Sequence, residues 1–231
     1  MANMSFRIIF AMVAVVSVQG CVNTSYHDTK EKEPPPQIAE RRVNFWLNNS
    51  VFNKLYPCVY VIPQKPTATA LLPLAERSFE RHLYQKFEKV ISSRSVKKIS
   101  EKQMFNIYTR RGVSGFGKKM HCPVTASIRI KEMNNNFLMF YAQKSLKIEA
   151  RLEDAKTGDL LWQSEHHAGR GDGALPLSPL SAISSVVRAS RISGDSEQFA
   201  SILDDAVRRM ARTIPSFKLD IPEKDFAGRR N

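Results

Sequence analysis

The chain has 231 residues, with 35 Lys and Arg against 22 Asp and Glu and a formal net charge of +13. That length suits one compact domain with a sizeable core. Past the N-terminal region no stretch approaches about eighteen consecutive apolar residues, which excludes a later transmembrane helix. In a cytosolic protein such basicity would suggest nucleic acid, but neither an RNP-type aromatic pattern nor a zinc-ligand spacing accompanies it.

The chain opens with "MANMSFRIIFAMVAVVSVQGC". One basic residue, Arg7, precedes an apolar run from Ile8 to Val18. The run is too short to span a bilayer and has the length of a signal-peptide core. It ends in Val18-Gln19-Gly20-Cys21, which resembles a bacterial lipobox. A buried core helix ending at a cysteine is the competing reading, but such a helix rarely sits at the extreme N-terminus behind a basic residue. The resemblance implies a signal peptide over 1–20 and a lipid on Cys21, which becomes the first mature residue. The lipid then tethers a soluble domain to a membrane surface. Val22, rather than Asp, follows Cys21, which in enterobacterial-type sorting implies the outer membrane, with the domain in the periplasm. In an envelope the positive charge would suit anionic lipid phosphates, acidic glycan polymers or an acidic protein, and charge alone does not choose among them.

Residues 21–38 are polar, charged and Pro-rich and read as a short extended linker. Residues 39–217 read as one globular domain and 218–231 as a flexible tail. Trp46, Phe52 and Leu55 either pack a helix onto the domain or form an anchor near the membrane. "CVYVIP" reads as a buried strand. The clearest helix is expected from Pro73 to Ser92, with Ala75, Phe79, Leu83, Phe87 and Val90 or Ile91 on one face. A short strand and a helix follow within 95–111. Strands are expected over 124–131, 146–154 and 160–167, with a tight turn at Thr157-Gly158-Asp159. "GRGDGALPLSPL" reads as a loop. Helices near 179–191 and over 197–214 close the domain, the last with Phe199, Ile202, Leu203, Ala206, Met210 and Ile214 as its buried stripe.

"GVSGFGKK", residues 112–119, is one substitution from a phosphate-binding loop. Lys119 stands where that motif needs a hydroxyl for Mg²⁺. The stretch also precedes a strand-like run rather than opening a helix, so it reads as a Gly-rich basic turn. With Cys21 acylated, Cys58 and Cys122 remain as a candidate disulfide, since an exported protein meets an oxidising compartment. Two buried free thiols are the alternative. Parallel neighbouring strands could bring the pair together, and closing so long a loop stabilises by roughly 4 kcal/mol in the chain-entropy model.

The lipobox at Cys21, the helix "LAERSFERHLYQKFEKVI" after "CVYVIP", and the hairpin "LEDAKTGDLLWQSEHHAGR" together resemble the domain of CsgG-like and LpoB-like envelope lipoproteins. Lipoproteins of the domain-of-unknown-function 799 group look similar. The resemblance covers roughly residues 55–215. It implies an α/β (α+β) sandwich: a mixed sheet of about four to five strands with amphipathic helices packed on it, and a C-terminal β-hairpin followed by a helix. CsgG-like proteins assemble secretion pores, and LpoB-like proteins activate a peptidoglycan synthase. This chain lacks a visible pair of long amphipathic hairpins, since only "FLMFYAQ" is unusually apolar and it is short. Its linker is also short for an LpoB-like reach.

No catalytic constellation stands out. His27 falls in the linker, His121 before a strand, and His82 on a helix. His166 and His167 are adjacent and would face opposite ways on a strand. Neither a nucleophile elbow nor a zincin motif occurs. A basic cluster does occur: Lys86, Lys89, Arg94, Lys97, Lys98, Lys102, Arg110, Arg111, Lys118 and Lys119, with Glu88 and Glu101 as the acids among them. It reads either as a solvated face or as an electropositive docking surface. The expectation is a lipid-anchored envelope protein that binds partners and catalyses nothing, with no cofactor and no metal. Its partners would be envelope proteins and the membrane, with anionic lipid, glycan or further copies of the chain as other candidates, and no nucleic acid. An oligomeric secretion or pore subunit is the alternative.

Overall fold

Among the described residues seven strands and four helices occur, and the strands join one mixed sheet. A computed structural model describes residues 24–28, 41–49, 54, 56–65, 71–138, 141–173 and 197–218. The elements are β1 (Thr24–Asp28), β2 (Arg41–Leu47), β3 (Cys58–Val61), α1 (Leu72–Leu83), β4 (Lys89–Ile91), α2 (Ser93–Lys102), α3 (Arg110–Met120), β5 (Val124–Leu138), β6 (Tyr141–Asp154), β7 (Leu160–Gly173) and α4 (Glu197–Arg212). Strand order is β1-β2-β7-β6-β5-β3-β4. β4, β3 and β5 run parallel, and β5, β6 and β7 form an antiparallel meander. β2 pairs antiparallel with β7 and parallel with β1. The fold class is the expected mixed α/β sandwich, with more strands than the four or five expected.

The sheet has two differently covered faces, because successive side chains on a strand point opposite ways. Val59 and Val61 of β3 join one core with Phe79 and Leu83 of α1, Ile128, Ile148, Leu152 and Trp162 of the meander, and Leu203 and Met210 of α4. Cys58 and Tyr60 face the other way, into a smaller core with Ile91, Val96 of α2 and Phe116 of α3. Helices α1 and α4 therefore cover one face, and α2 and α3 cover the other over β3. On that second face the meander is polar. Glu149, nearly buried, bonds Lys131 Nζ at 2.7 Å and also Arg151, and Lys147 pairs with Glu165 at 3.2 Å.

Several elements differ from the expected ones. The helix begun at Pro73 ends at Leu83, and Lys89–Ile91 form β4 instead. Lys89 N donates to Pro57 O at 3.0 Å, and Val90 and Ile91 enter opposite cores. Sheet pairing of a Val-Ile pair buried on both sides outweighs the helical spacing. The stretch 95–111, expected to hold a short strand and a helix, opens inside a helix over 93–102 with no strand, and Ser92 Oγ caps it by accepting from Ser95 N at 3.2 Å.

The Gly-rich stretch is not a turn but part of α3. Thr109 Oγ1 caps it by accepting from Gly112 N at 3.2 Å, and His121, at φ 52°, ends it. Glycine weakens a helix by roughly 1 kcal/mol per residue relative to alanine. Close packing requires it here, since a Cβ on Gly112 would lie 1.8 Å from Asn106 O.

The strands β5–β7 are longer than expected, and a bulge explains where the alternation was lost. Ile130 pairs with Ile148 and Glu132 with Lys147, leaving Lys131 without a counterpart. One extra residue reverses the alternation, so the side of the sheet held by Ile128 and Ile130 passes to Met133, which lies opposite buried Leu146 and is itself half exposed. A second bulge at Leu161 lets consecutive Leu161 and Trp162 both enter the core. The tripeptide Arg170-Gly171-Asp172, expected in a loop, lies in β7.

Thr24–Asp28, inside the expected linker, forms β1, and Trp46, expected on a helix or anchor, lies on β2. The signal peptide, Cys21, Phe52, Leu55, the expected helix near 179–191 and residues 219–231 lie outside the described residues. No helix among the described residues is long and apolar enough to cross a membrane.

Candidate functional site

Eight of the ten predicted basic residues share one helical layer. Arg94, Lys97, Lys98 and Lys102 are on α2 and Arg110, Arg111, Lys118 and Lys119 on α3, all exposed. Between Ser93 and Met120 the only acid is Glu101. The other two lie elsewhere. Lys86 follows α1, where partial burial lowers its amine pKa, and exposed Lys89 opens β4.

The connection between α2 and α3 carries two features that the sequence reading did not single out. Met104 is 94% exposed with its backbone at φ 56°, and Tyr108 is 48% exposed. Their neighbours Phe105 and Ile107 turn inward against Val96 and Phe116. In "MFNIY" all four apolar residues look alike, so the sequence offers no signal for which pair is outside.

A cleft of about 510 Å³ opens at the end of β3, beside the start of α3. Ile62, Leu72, Ile107, Val113 and Ile130 give it an apolar lining. Lys65, Arg110 and Arg129 bring positive charge to it, and Glu153 brings a single negative one. Lys65 Nζ lies 5.7 Å from the centre of the Tyr108 ring, a cation–π contact. The Arg110 guanidinium lies on Gly158, which turns the β6–β7 hairpin at φ 76°: a Cβ there would be 1.0 Å from Arg110 Nη2. A shallower groove of about 320 Å³, lined by Lys97, Glu101, Met104 and Tyr108, continues from the cleft and shares Ile107 and Tyr108 with it. Lys65, Arg129, Met104 and Tyr108 thus extend the predicted basic cluster into one continuous surface. Its mixture of spaced cations and apolar side chains suits a ligand that is both anionic and amphipathic.

The surface is rigidly backed. Tyr60 Oη donates to Val113 O at 2.8 Å, tying β3 to α3, and burial raises the pKa of this phenol. Cys58 and Cys122 form a disulfide with Cα atoms 4.9 Å apart. They flank the parallel pair in which Val59 meets Val124, so β3 and β5 place them together.

The histidines do not converge. His166 is buried, with Nδ1 donating to Arg42 O at 2.6 Å, while its neighbour His167 is exposed on the opposite face. His82 is buried on α1, and His121 is exposed at the end of α3. His27 lies in β1. Among the described residues no group of three His, Cys, Asp or Glu side chains is arranged to hold a metal ion.

No family model matches the chain, and no curated protein matches it. Solved structures resemble it at low identity. The PelC dodecamer from Paraburkholderia phytofirmans is 9% identical, over 75% of this chain and 96% of that one, with a TM-score of 0.46. A lipoprotein from Neisseria meningitidis is 14% identical over 60% and 99%, with a TM-score of 0.42. An uncharacterized lipoprotein B from Nitrosomonas europaea is 14% identical over 70% and 84%, with a TM-score of 0.37. At these scores the likeness carries no argument about function.

Proposed function

We propose that this chain is a lipid-anchored protein of the bacterial outer membrane, its domain in the periplasm, that acts by binding rather than by catalysis. The lipobox-like Val18-Gln19-Gly20-Cys21 supports the anchor. The observation that carries the binding role is the α2–α3 layer, where eight exposed cations face a single acid. Such a one-signed surface speeds and orients encounter with an anionic partner. The finer reading is an adaptor or activator in envelope assembly or maintenance, of the CsgG-like or LpoB-like kind. An oligomeric secretion component is the second reading. It is compatible with the β5–β6 hairpin, which continues past the bulge at Lys131 to Leu138 and Tyr141.

Crosslinked capture of the lipidated protein from intact cells, read by mass spectrometry, separates the two. Recovery of envelope machinery, lost when Lys97, Lys98 and Arg111 are changed to Glu, supports the adaptor. Recovery of the chain itself as a high-mass ring, indifferent to those changes, sinks the adaptor in favour of the oligomer.

A further inference from the structure

We infer that the surface running from α2 across the Met104–Tyr108 connection to the cleft docks on an anionic phospholipid surface, with Met104 and Tyr108 entering the headgroup region. The inference deepens the proposed binding role and rests on it for the tether at Cys21.

Charge complementarity comes first. Lys65, Arg110 and Arg129 line the cleft and Lys97 the adjoining groove, where Glu153 and Glu101 are the acids, and Lys98 and Arg111 are exposed on the same two helices. Each cation held near an anionic leaflet contributes about a fivefold gain in affinity, and the attraction decays within a Debye length.

The apolar groups come second. Met104 is almost wholly exposed, and its left-handed backbone holds it clear of the core. Tyr108, half exposed, offers an apolar ring with a polar tip, the character enriched at membrane interfaces. Single apolar side chains set among spaced cations need no preshaped pocket when the partner is a fluid. A protein partner would have to supply one.

Strand direction comes third. β1 is parallel to β2, which opposes β7; β7 opposes β6 and β6 opposes β5, which parallels β3. β1 therefore begins at the end of the sheet where β3 finishes. Cys21 lies three residues before Thr24. Thr24 thus stands at the same end of the sheet as the cleft of Lys65, Tyr108 and Arg110, and a tether so close in sequence makes docking an intramolecular event.

The test uses the full chain purified from membranes. With Cys21 acylated and Cys58 bridged to Cys122, a single introduced cysteine is the only free thiol. Met104→Cys and, as a control on the α1 side, Gln85→Cys carry an environment-sensitive fluorophore. Each protein is placed on phosphatidylcholine vesicles with or without phosphatidylglycerol, containing a headgroup-depth quencher lipid. The expected result is quenching at position 104 only with phosphatidylglycerol, reversed by about 1 M salt, where the screening length is about 3 Å. Changing Lys98 and Arg111 to Gln should weaken the anionic-lipid dependence by about fivefold per residue. Equal exposure of 104 on both vesicles overturns the inference. So does protection of 104 by an acidic polypeptide but not by phosphatidylglycerol, which would assign the surface to a protein. The mass of the N-terminal peptide reads acylation separately: an unmodified Cys21 would overturn the tether, while the quenching still judges the surface.

Discussion

His82 and His166 are buried on the α4 side of the sheet, and burial holds both imidazoles below their ordinary pKa of 6.5. At His82 the carboxylate of Asp204 pulls the other way, while Arg81, Arg208 and Arg212 reinforce the burial. At His166 the Arg42 carbonyl opposes burial and Arg209 reinforces it. Because the folded-state values lie below the unfolded one, the unfolded chain binds more protons in the interval between them. Stability is therefore full above about pH 6.5 and falls as pH drops through that interval. The urea midpoint should be lower at about pH 5.5 than at about pH 7.5, and His166→Gln, which keeps a donor for Arg42 but takes no proton, should flatten the difference. A midpoint unchanged over that range would mean that neither histidine is buried as described. Glu149 acts at lower pH. Burial would raise its carboxyl, but Lys131 and Arg151 hold it below 4.5, so its contribution disappears only as pH falls beneath that value. The residue scale was partly legible: the opposite facings of His166 and His167 follow from period two, whereas the burial of His82 depends on where α4 lies.

Among the elements, α4 and the Thr157-Gly158-Asp159 turn were readable because periodicity and turn chemistry agree with the tertiary structure there. α3 was not readable. Its glycines argue locally against a helix, and only the approach of Asn106 O explains why one is needed at position 112. Gly112→Ala should raise local helix propensity yet lower stability by roughly 1–3 kcal/mol, because the clash is with backbone that cannot swing aside. Thermal melting checks this, and an unchanged or higher melting temperature would remove the packing argument. The break of the expected 73–92 helix has the same origin. Phe87 and Val90 keep the helical spacing by chance of sequence, and the place of β4 beside β3 decides their conformation. In β5 the bulge at Lys131 reverses the alternation, so no single period describes the strand from end to end. The basic cluster was legible as composition. That α2 and α3 bring eight of its members together, leave Lys86 and Lys89 apart and add Lys65 and Arg129 depends on three-dimensional placement.

At the scale of the whole molecule, the disulfide joins residues 64 apart in sequence. Its loss should cost roughly 4 kcal/mol in the chain-entropy model, seen as a lower denaturation midpoint under reducing conditions. An unchanged midpoint would mean that β3 and β5 hold the crossover together without it. The same bond has a mechanical consequence. The lipid proposed on Cys21 would make the N-terminus a point of suspension, and a partner that drew the domain away would load the chain in tension. Where the partner holds the domain beyond Cys122, that load passes from Cys58 to Cys122 directly through the sulfur bridge. The intervening loop, which carries α1, β4, α2 and α3, is shielded from extension. The connection bearing Met104 and Tyr108 lies within this loop, so under a pull applied beyond Cys122 that surface would keep its shape after the flanking strands had begun to give way.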